Sequence, residues 1–169
     1  MGDQKEMNWA DVIGNAVHIM QERDKYAYWY GAKGQTLTRE VMKQLVAAEP
    51  EYFSRYNAKK LKELMDWSEG KIGLDCSGFI NAITGQVNYS TGYYEESVNK
   101  TDPVSGTWGN ILYTTHGGKG RHIGLDIGQG RFLDFRKEGE SCQMGIIRLY
   151  DWEASGQIRG VSYYLTGNK

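Results

Sequence analysis

Apolar positions follow two regimes along this chain, a helical spacing in the first half and short alternating runs in the second. Trp9, Val12, Ile13, Ala16, Val17 and Met20 recur at i, i+3, i+4, i+7, i+8 and i+11 and predict one amphipathic helix. Asn8 is placed to cap it, with Asp11 three residues on as a weak form of the capping box. Thr38 caps a second predicted helix running toward Ala48, and Pro50 marks its exit. A third is expected from about Asn57 to Ser68, with Leu61, Leu64 and Met65 inward and Gly70 as its stop. After Cys76, the residues Phe79, Ile80 and Ile83 read as a short buried helix ending near Gly85.

From Gln86 to Gly109 the pattern weakens into Ser, Thr, Asn, Gly and Tyr, which predicts a loop with at most short elements. Strand signals follow at Asn110 to Thr114, His122 to Ile127, Arg131 to Phe135, Gly145 to Leu149 and Ile158 to Leu165. Helices first and strands second indicate an α+β fold, with an antiparallel sheet of about five strands packed on helices. The 169 residues fit one domain, 1–169, and 40% hydrophobic residues supply a core without disulfide staples.

Charge narrows the partners. Lys+Arg 20 against Asp+Glu 21 gives a net charge of -1, which provides no general field for nucleic acid or an anionic membrane. Neither partner is expected, nor is membrane insertion, because no stretch reaches the length of a span. The start, Met1 to Met7, lacks the apolar run of a secretory signal, so synthesis in the cytoplasm is expected. The two cysteines make no disulfide framework, and with His116 and His122 they show no paired zinc-ligand spacing; no metal and no cofactor are expected.

Candidate chemistry starts at Cys76, in Leu74-Asp75-Cys76-Ser77-Gly78-Phe79, where a loop enters a helix. Unpaired N–H groups and the macrodipole at a helix N-terminus favour the thiolate, which is the nucleophilic form. The same N–H groups can hold an oxyanion, and Gly78 would leave room for substrate at the first turn. Arg121 to Ile127 alternates strictly, so His122, Gly124 and Asp126 share the face opposite Ile123, Leu125 and Ile127. Gly124 would leave that face open beside His122. Gly128-Gln129-Gly130 turns into Arg131-Phe132-Leu133-Asp134. A hairpin centred on Gly128 makes His122 and Asp134 direct cross-strand neighbours, with Cβ atoms roughly 4.5–5.5 Å apart. A one-residue slip would send them to opposite faces.

The Asp75-Cys76-Ser77-Gly78-Phe79 and His122-Ile123-Gly124-Leu125 motifs, followed by Gly128 to Asp134, resemble the NlpC-type superfamily of papain-like cell-wall cysteine peptidases. Tyr28-Trp29-Tyr30-Gly31 is similar to that family's aromatic-glycine motif upstream of the nucleophile. The resemblance implies a nucleophile-bearing helix packed on an antiparallel sheet and cleavage of peptidoglycan stem peptides, commonly between D-glutamate and a diamino acid. It implies Cys76 as nucleophile, His122 as base and Asp134 in the third polar position, where histidine is commoner in the family. Tyr28 would help bind substrate or the oxyanion, and Asp75 and Ser77 would flank the substrate's amino end. Residues 31–73 are longer and more helical than the usual link and read as a helical insertion, a lid or substrate-selecting wall. A monomer acting on peptidoglycan or muropeptides is expected, released by lysis as in a phage or prophage endolysin, or exported by a separate route. Amidase, deamidase or acyltransferase chemistry with the same three residues is the alternative, followed by an inactive cell-wall-binding module.

Other residues carry weaker signals. His116 reads as a solvated loop histidine and His18 as a satisfied packing residue near the first helix's apolar face. Cys142 reads as a spare thiol in a polar turn, and Tyr93, Tyr94 and Trp108 as candidates for a glycan or peptide groove.

Overall fold

The computed structural model describes residues 7–115 and 122–164, so His116 and the ends of the chain lie outside the described residues. Helix α1 (Trp9–Gln21) carries the capping box expected of Asn8 and Asp11 and buries Val12, Ala16 and Ile19. Ile19 was not expected on that face, whereas Val17 is exposed at its edge. His18 is also exposed, 3.4 Å from Glu22, so it is a surface residue and not a packed one. The helix phase is rotated slightly toward Ile19 because α1 lies against α5 (Cys76–Thr84), to which Asn15 Nδ2 donates through the Ile83 carbonyl at 3.0 Å.

Two sheets organise the rest. Strands β1 (Tyr26–Tyr28), β2 (Lys33–Thr36) and β3 (Ile72–Leu74) form a small sheet in the order β1-β3-β2, with β1 and β3 parallel. Helices α2 (Arg39–Ala48), α3 (Pro50–Phe53) and α4 (Ala58–Ser68) lie between β2 and β3. The span 31–73, expected to be helical, is therefore bounded by two strands, and Pro50 opens α3 at its first turn, where a missing N–H is harmless. Trp29, Leu37, Met42, Phe53, Leu64 and Met65 pack there as a separate core cluster.

The second sheet has six antiparallel strands in the order β4-β9-β5-β6-β7-β8, one more than expected. It comprises β4 (Val98–Thr101), β5 (Ile111–Thr114), β6 (His122–Gly128), β7 (Arg131–Asp134), β8 (Gln143–Ile146) and β9 (Ala154–Gln157). Three short elements lie inside the expected loop 86–109: α6 (Ser90–Glu96), β4 and a 3₁₀ turn over Pro103–Ser105. The strand expected at Gly145 to Leu149 ends at Ile146 and tightens into a 3₁₀ turn over Ile147–Leu149. Among the described residues the last strand is Ala154–Gln157 and not one starting at Ile158, because pairing with β5 is set by Ser155 and Gly156 and the apolar Ile158 turns inward beyond it; Leu165, the expected end of that strand, lies outside the described residues. The sheet packs Ile111, Ile123, Leu125, Leu133 and Phe135 against Phe79, Ile80 and Ile83 of α5, closing the main core.

The β6–β7 hairpin decides which face each polar side chain takes. Its loop is Gln129-Gly130, both at positive φ (57° and 73°), as a two-residue turn of the twisted type requires. Gly128 opposes Arg131, but Asp126 opposes Phe132, so one extra residue is bulged into β6 beside the turn. Beyond the bulge Leu125 faces Leu133. In that register Asp134 lies across from Gly124 and not from His122: a Cβ built on Gly124 would stand 3.3 Å from the Asp134 Cβ. The expected direct pair is thus displaced by two residues. Because the displacement is even, His122 and Asp134 remain on one face as diagonal neighbours. Without the bulge the register from the turn would carry Asp134 to the core face with Leu125.

Candidate active site

Cys76 is the first residue of α5, and Asp75 is its N-cap, accepting from Gly78 N–H at 2.7 Å. Gly78 is required here for packing. A Cβ on it would come within 2.7 Å of the Ala32 carbonyl oxygen, so its space is taken by the backbone entering β2 and not left for substrate. The close approach brings Lys33 onto the helix start, where its Nζ lies 2.7 and 2.9 Å from the two Asp75 oxygens and 2.5 Å from Ser77 Oγ.

His122 starts β6 with its side chain mostly buried, 19% of it exposed. Its Nε2 is 2.8 Å from Asp134 Oδ2, and its side chain is hydrogen-bonded to Cys76, leaving Nδ1 as the nitrogen for the thiol. Burial is the largest influence on its pKa and lowers it. The hydrogen bonds to Asp134 and Cys76 and the charges of both together outweigh burial and push it up to about 9. The imidazole is therefore held as a cation at neutral pH, the form a thiolate partner favours. Asp134 is fully buried, and Arg136 Nε closes on the same Oδ2 at 2.7 Å.

The Trp152 ring stacks on His122 at 5.4 Å between centroids and 17° between planes. That ring fills the space beside Gly124, where an added Cβ would meet it at 2.8 Å, so Gly124 admits Trp152 and does not leave the face open. Tyr28 is buried, and burial first, then the nearby Cys76, raises its phenol well above its ordinary range, which keeps it a neutral hydrogen-bond donor.

These groups meet at a cavity of about 920 Å³, lined by Tyr28, Asp75, Cys76, Ser77 and His122. Asp134 stands behind His122 and does not line it. Leu45, Ala48, Glu49, Tyr52 and Arg55 of the 31–73 span form one wall, and Tyr150 and Trp152 another. Glu138 ties the first wall to the loop after β7: its carboxylate accepts from Tyr52 Oη (2.7 Å), Tyr56 Oη (2.8 Å) and Tyr30 N–H (2.9 Å). Burial and then the Glu138 charge raise both phenols above their ordinary range, so they remain donors.

The six residues singled out from sequence thus converge on one place. Lys33, Arg136, Glu138 and Trp152 were missed. Arg136 had a faint signal, two residues beyond Asp134 and hence on its face; Lys33 and Glu138 lie just past the Gly31 and Asp134 motifs and Trp152 further along the chain, each without a motif of its own. Of the aromatic groove candidates, Tyr93 is buried, Tyr94 stacks on Tyr113 at 4.0 Å and Trp108 packs on Gly128, so none lines this cavity. Cys142 is fully buried in the main core and not in a polar turn, and burial pushes its thiol up to about 12. Among the described residues no group of three or more His, Cys, Asp or Glu could hold a metal, and no helix is long and apolar enough to cross a membrane.

No family model and no curated protein sequence matches the chain. Solved structures do. The NlpC/p60 domain of the peptidoglycan hydrolase SagA superposes with a TM-score of 0.54 at 18% identity, covering 90% of this chain and 100% of that one. NlpC2 from Trichomonas vaginalis gives 0.55 at 12% identity, over 92% of this chain and 49% of that one. The peptidoglycan hydrolase RipB from Mycobacterium tuberculosis gives 0.53 at 15% identity, over 92% of this chain and 68% of that one. The chain therefore has the NlpC/p60 fold, of the papain-like α+β class.

Proposed function

We propose that this chain is a cysteine peptidase that hydrolyses the stem peptides of peptidoglycan, cutting between D-glutamate and a diamino acid. The observation that carries the reading is the hydrogen-bonded series from Cys76 through His122 to buried Asp134 at the wall of a large cavity. The peptidoglycan hydrolases that share the fold support the substrate class.

The Cys76 thiolate attacks the scissile carbonyl carbon, and the oxyanion faces the positive end of the α5 backbone dipole and the neutral phenol of Tyr28. The His122 imidazolium then gives its proton to the departing amine, leaving a thioester on Cys76. Water loses a proton to the now neutral imidazole and attacks the thioester, releasing the acid and restoring the thiolate and imidazolium. Asp134, clamped by Arg136, keeps the ring oriented and its charge balanced through both steps.

Replacing Cys76 with Ala leaves the fold intact by circular dichroism and abolishes release of new amino termini from purified peptidoglycan. Mass spectrometry of the products identifies the bond. Undiminished release by that variant, or products cut at a different bond, would refute the assignment.

A further inference from the structure

Asp75 and Ser77 flank Cys76, and the resemblance assigns them to the substrate's amino end. In this chain an ammonium already occupies that position. Lys33 Nζ sits against both Asp75 oxygens and Ser77 Oγ, and the remaining capacity of the carboxylate is used by Gly78 N–H at 2.7 Å and Gly31 N–H at 3.3 Å. The pair is sheltered, with side-chain exposures of 28% for Lys33 and 11% for Asp75. Lys33 cannot drift far, because it is the first residue of β2 and its backbone lies against Gly78, 3.5 Å from where a Cβ there would stand. Its ammonium also lies 5.2 Å from the centroid of the Tyr89 ring.

We propose that Lys33 is a specificity-determining residue that takes the place of a substrate ammonium, so that the site selects stem peptides whose amino end is acylated over peptides with a free amine. The inference rests on the hydrolase reading above and names the form of peptide that reading takes. A free amine entering beside Cys76 meets a like charge and a carboxylate with no acceptor left, and like charges brought together in a sheltered site repel strongly. An acylated nitrogen is neutral and faces a neutral ion pair. The cavity continues past Lys33 to Tyr89, Ser90 and Thr91, which gives the acyl extension room. In the intact wall polymer the stem peptide is amide-bonded to the glycan, whereas released peptides carry the free ammonium. The chemistry therefore matches the polymer and not its soluble fragments.

The test uses two stem peptides that differ only in a free or acetylated amino end. Cleavage by the wild type is compared with binding to Cys76→Ala by calorimetry. The acetylated peptide is favoured in both kcat/KM and affinity by about tenfold or more, as a like-charge contact removed from a sheltered site predicts. Lys33→Met, which frees Asp75 for an incoming cation, reverses the preference, and Lys33→Arg keeps it. Should the Met variant fail to fold, Lys33→Met combined with Asp75→Asn removes both charges and brings the ratio near one. Equal or better use of the free-amine peptide by the wild type, or an unchanged ratio in the Met variant, overturns the proposal. Tighter binding of the acetylated peptide to Cys76→Ala with neither peptide cleaved sinks the hydrolase reading and leaves this one standing. Binding of neither sinks both.

Discussion

Replacing Asp134 with Asn removes one charge from a site where the surroundings leave the amide no good orientation. Asp134 Oδ2 faces two donors, the His122 imidazolium and the Arg136 guanidinium, while Oδ1 is buried with no hydrogen-bond partner among the described residues. An amide that turns its oxygen to the two donors buries its NH2 unsatisfied, and one that turns its NH2 toward them repels both. The rise of His122 from 6.5 to about 9 corresponds to about 3 kcal/mol favouring the cation, net of the opposing burial. The Asp134 hydrogen bond is the largest of the contributions that raise it. Without it burial weighs more heavily against the cation, and the imidazole is expected to titrate lower than in the wild type. The sign for activity follows: the wild type loses kcat/KM as pH rises through about 9, and the variant loses it at lower pH. At pH near 7.5 the variant falls by about a hundredfold to ten-thousandfold. A pH profile on a fluorogenic stem peptide reads the rate, and an NMR titration of the His122 ring reads the proton without any substrate. An alkaline limb that stays near 9 in the variant, with activity within about threefold of wild type, refutes the role given to Asp134.

The same raised group fixes how stability depends on pH. Because His122 binds its proton more tightly folded than unfolded, its contribution is fully present below about 6.5 and is lost as pH rises through about 9. Gly124→Ala places a methyl against the Trp152 ring and the Asp134 Cβ; it is expected to destabilise by about 1–3 kcal/mol in urea and to lower kcat more than it raises KM, and wild-type kinetics would count against the stacking role. Glu138→Ala strands two tyrosine hydroxyls and the Tyr30 N–H; a loss of about 3 kcal/mol is expected, with faster amide exchange across α2 to α4, and unchanged exchange there would show that the carboxylate does not hold the wall.

The sequence by itself determined the parts whose signals are local. Asn8 and Thr38 each cap the helix that follows them, as their positions announced, because a side-chain oxygen needs only the N–H groups two or three residues ahead. Alternation alone placed Ile123 and Leu125 in the core and His122 on the other face. Cys76 at a helix start was legible for the same reason.

Tertiary structure decided everything that depends on register and on distant segments. The bulge in β6 next to the turn, which no residue type announces, sets Asp134 diagonal to His122 and across from Gly124. Gly78 and Gly124 look like open space in a sequence, yet one is filled by the Ala32 carbonyl and the other by Trp152, because the missing side chain is what lets two elements approach. Lys33 meets Asp75 across 42 positions and Glu138 meets Tyr52 across 86. Such long-range pairings are chosen by packing energy over the whole core, and no window of neighbouring residues contains both partners.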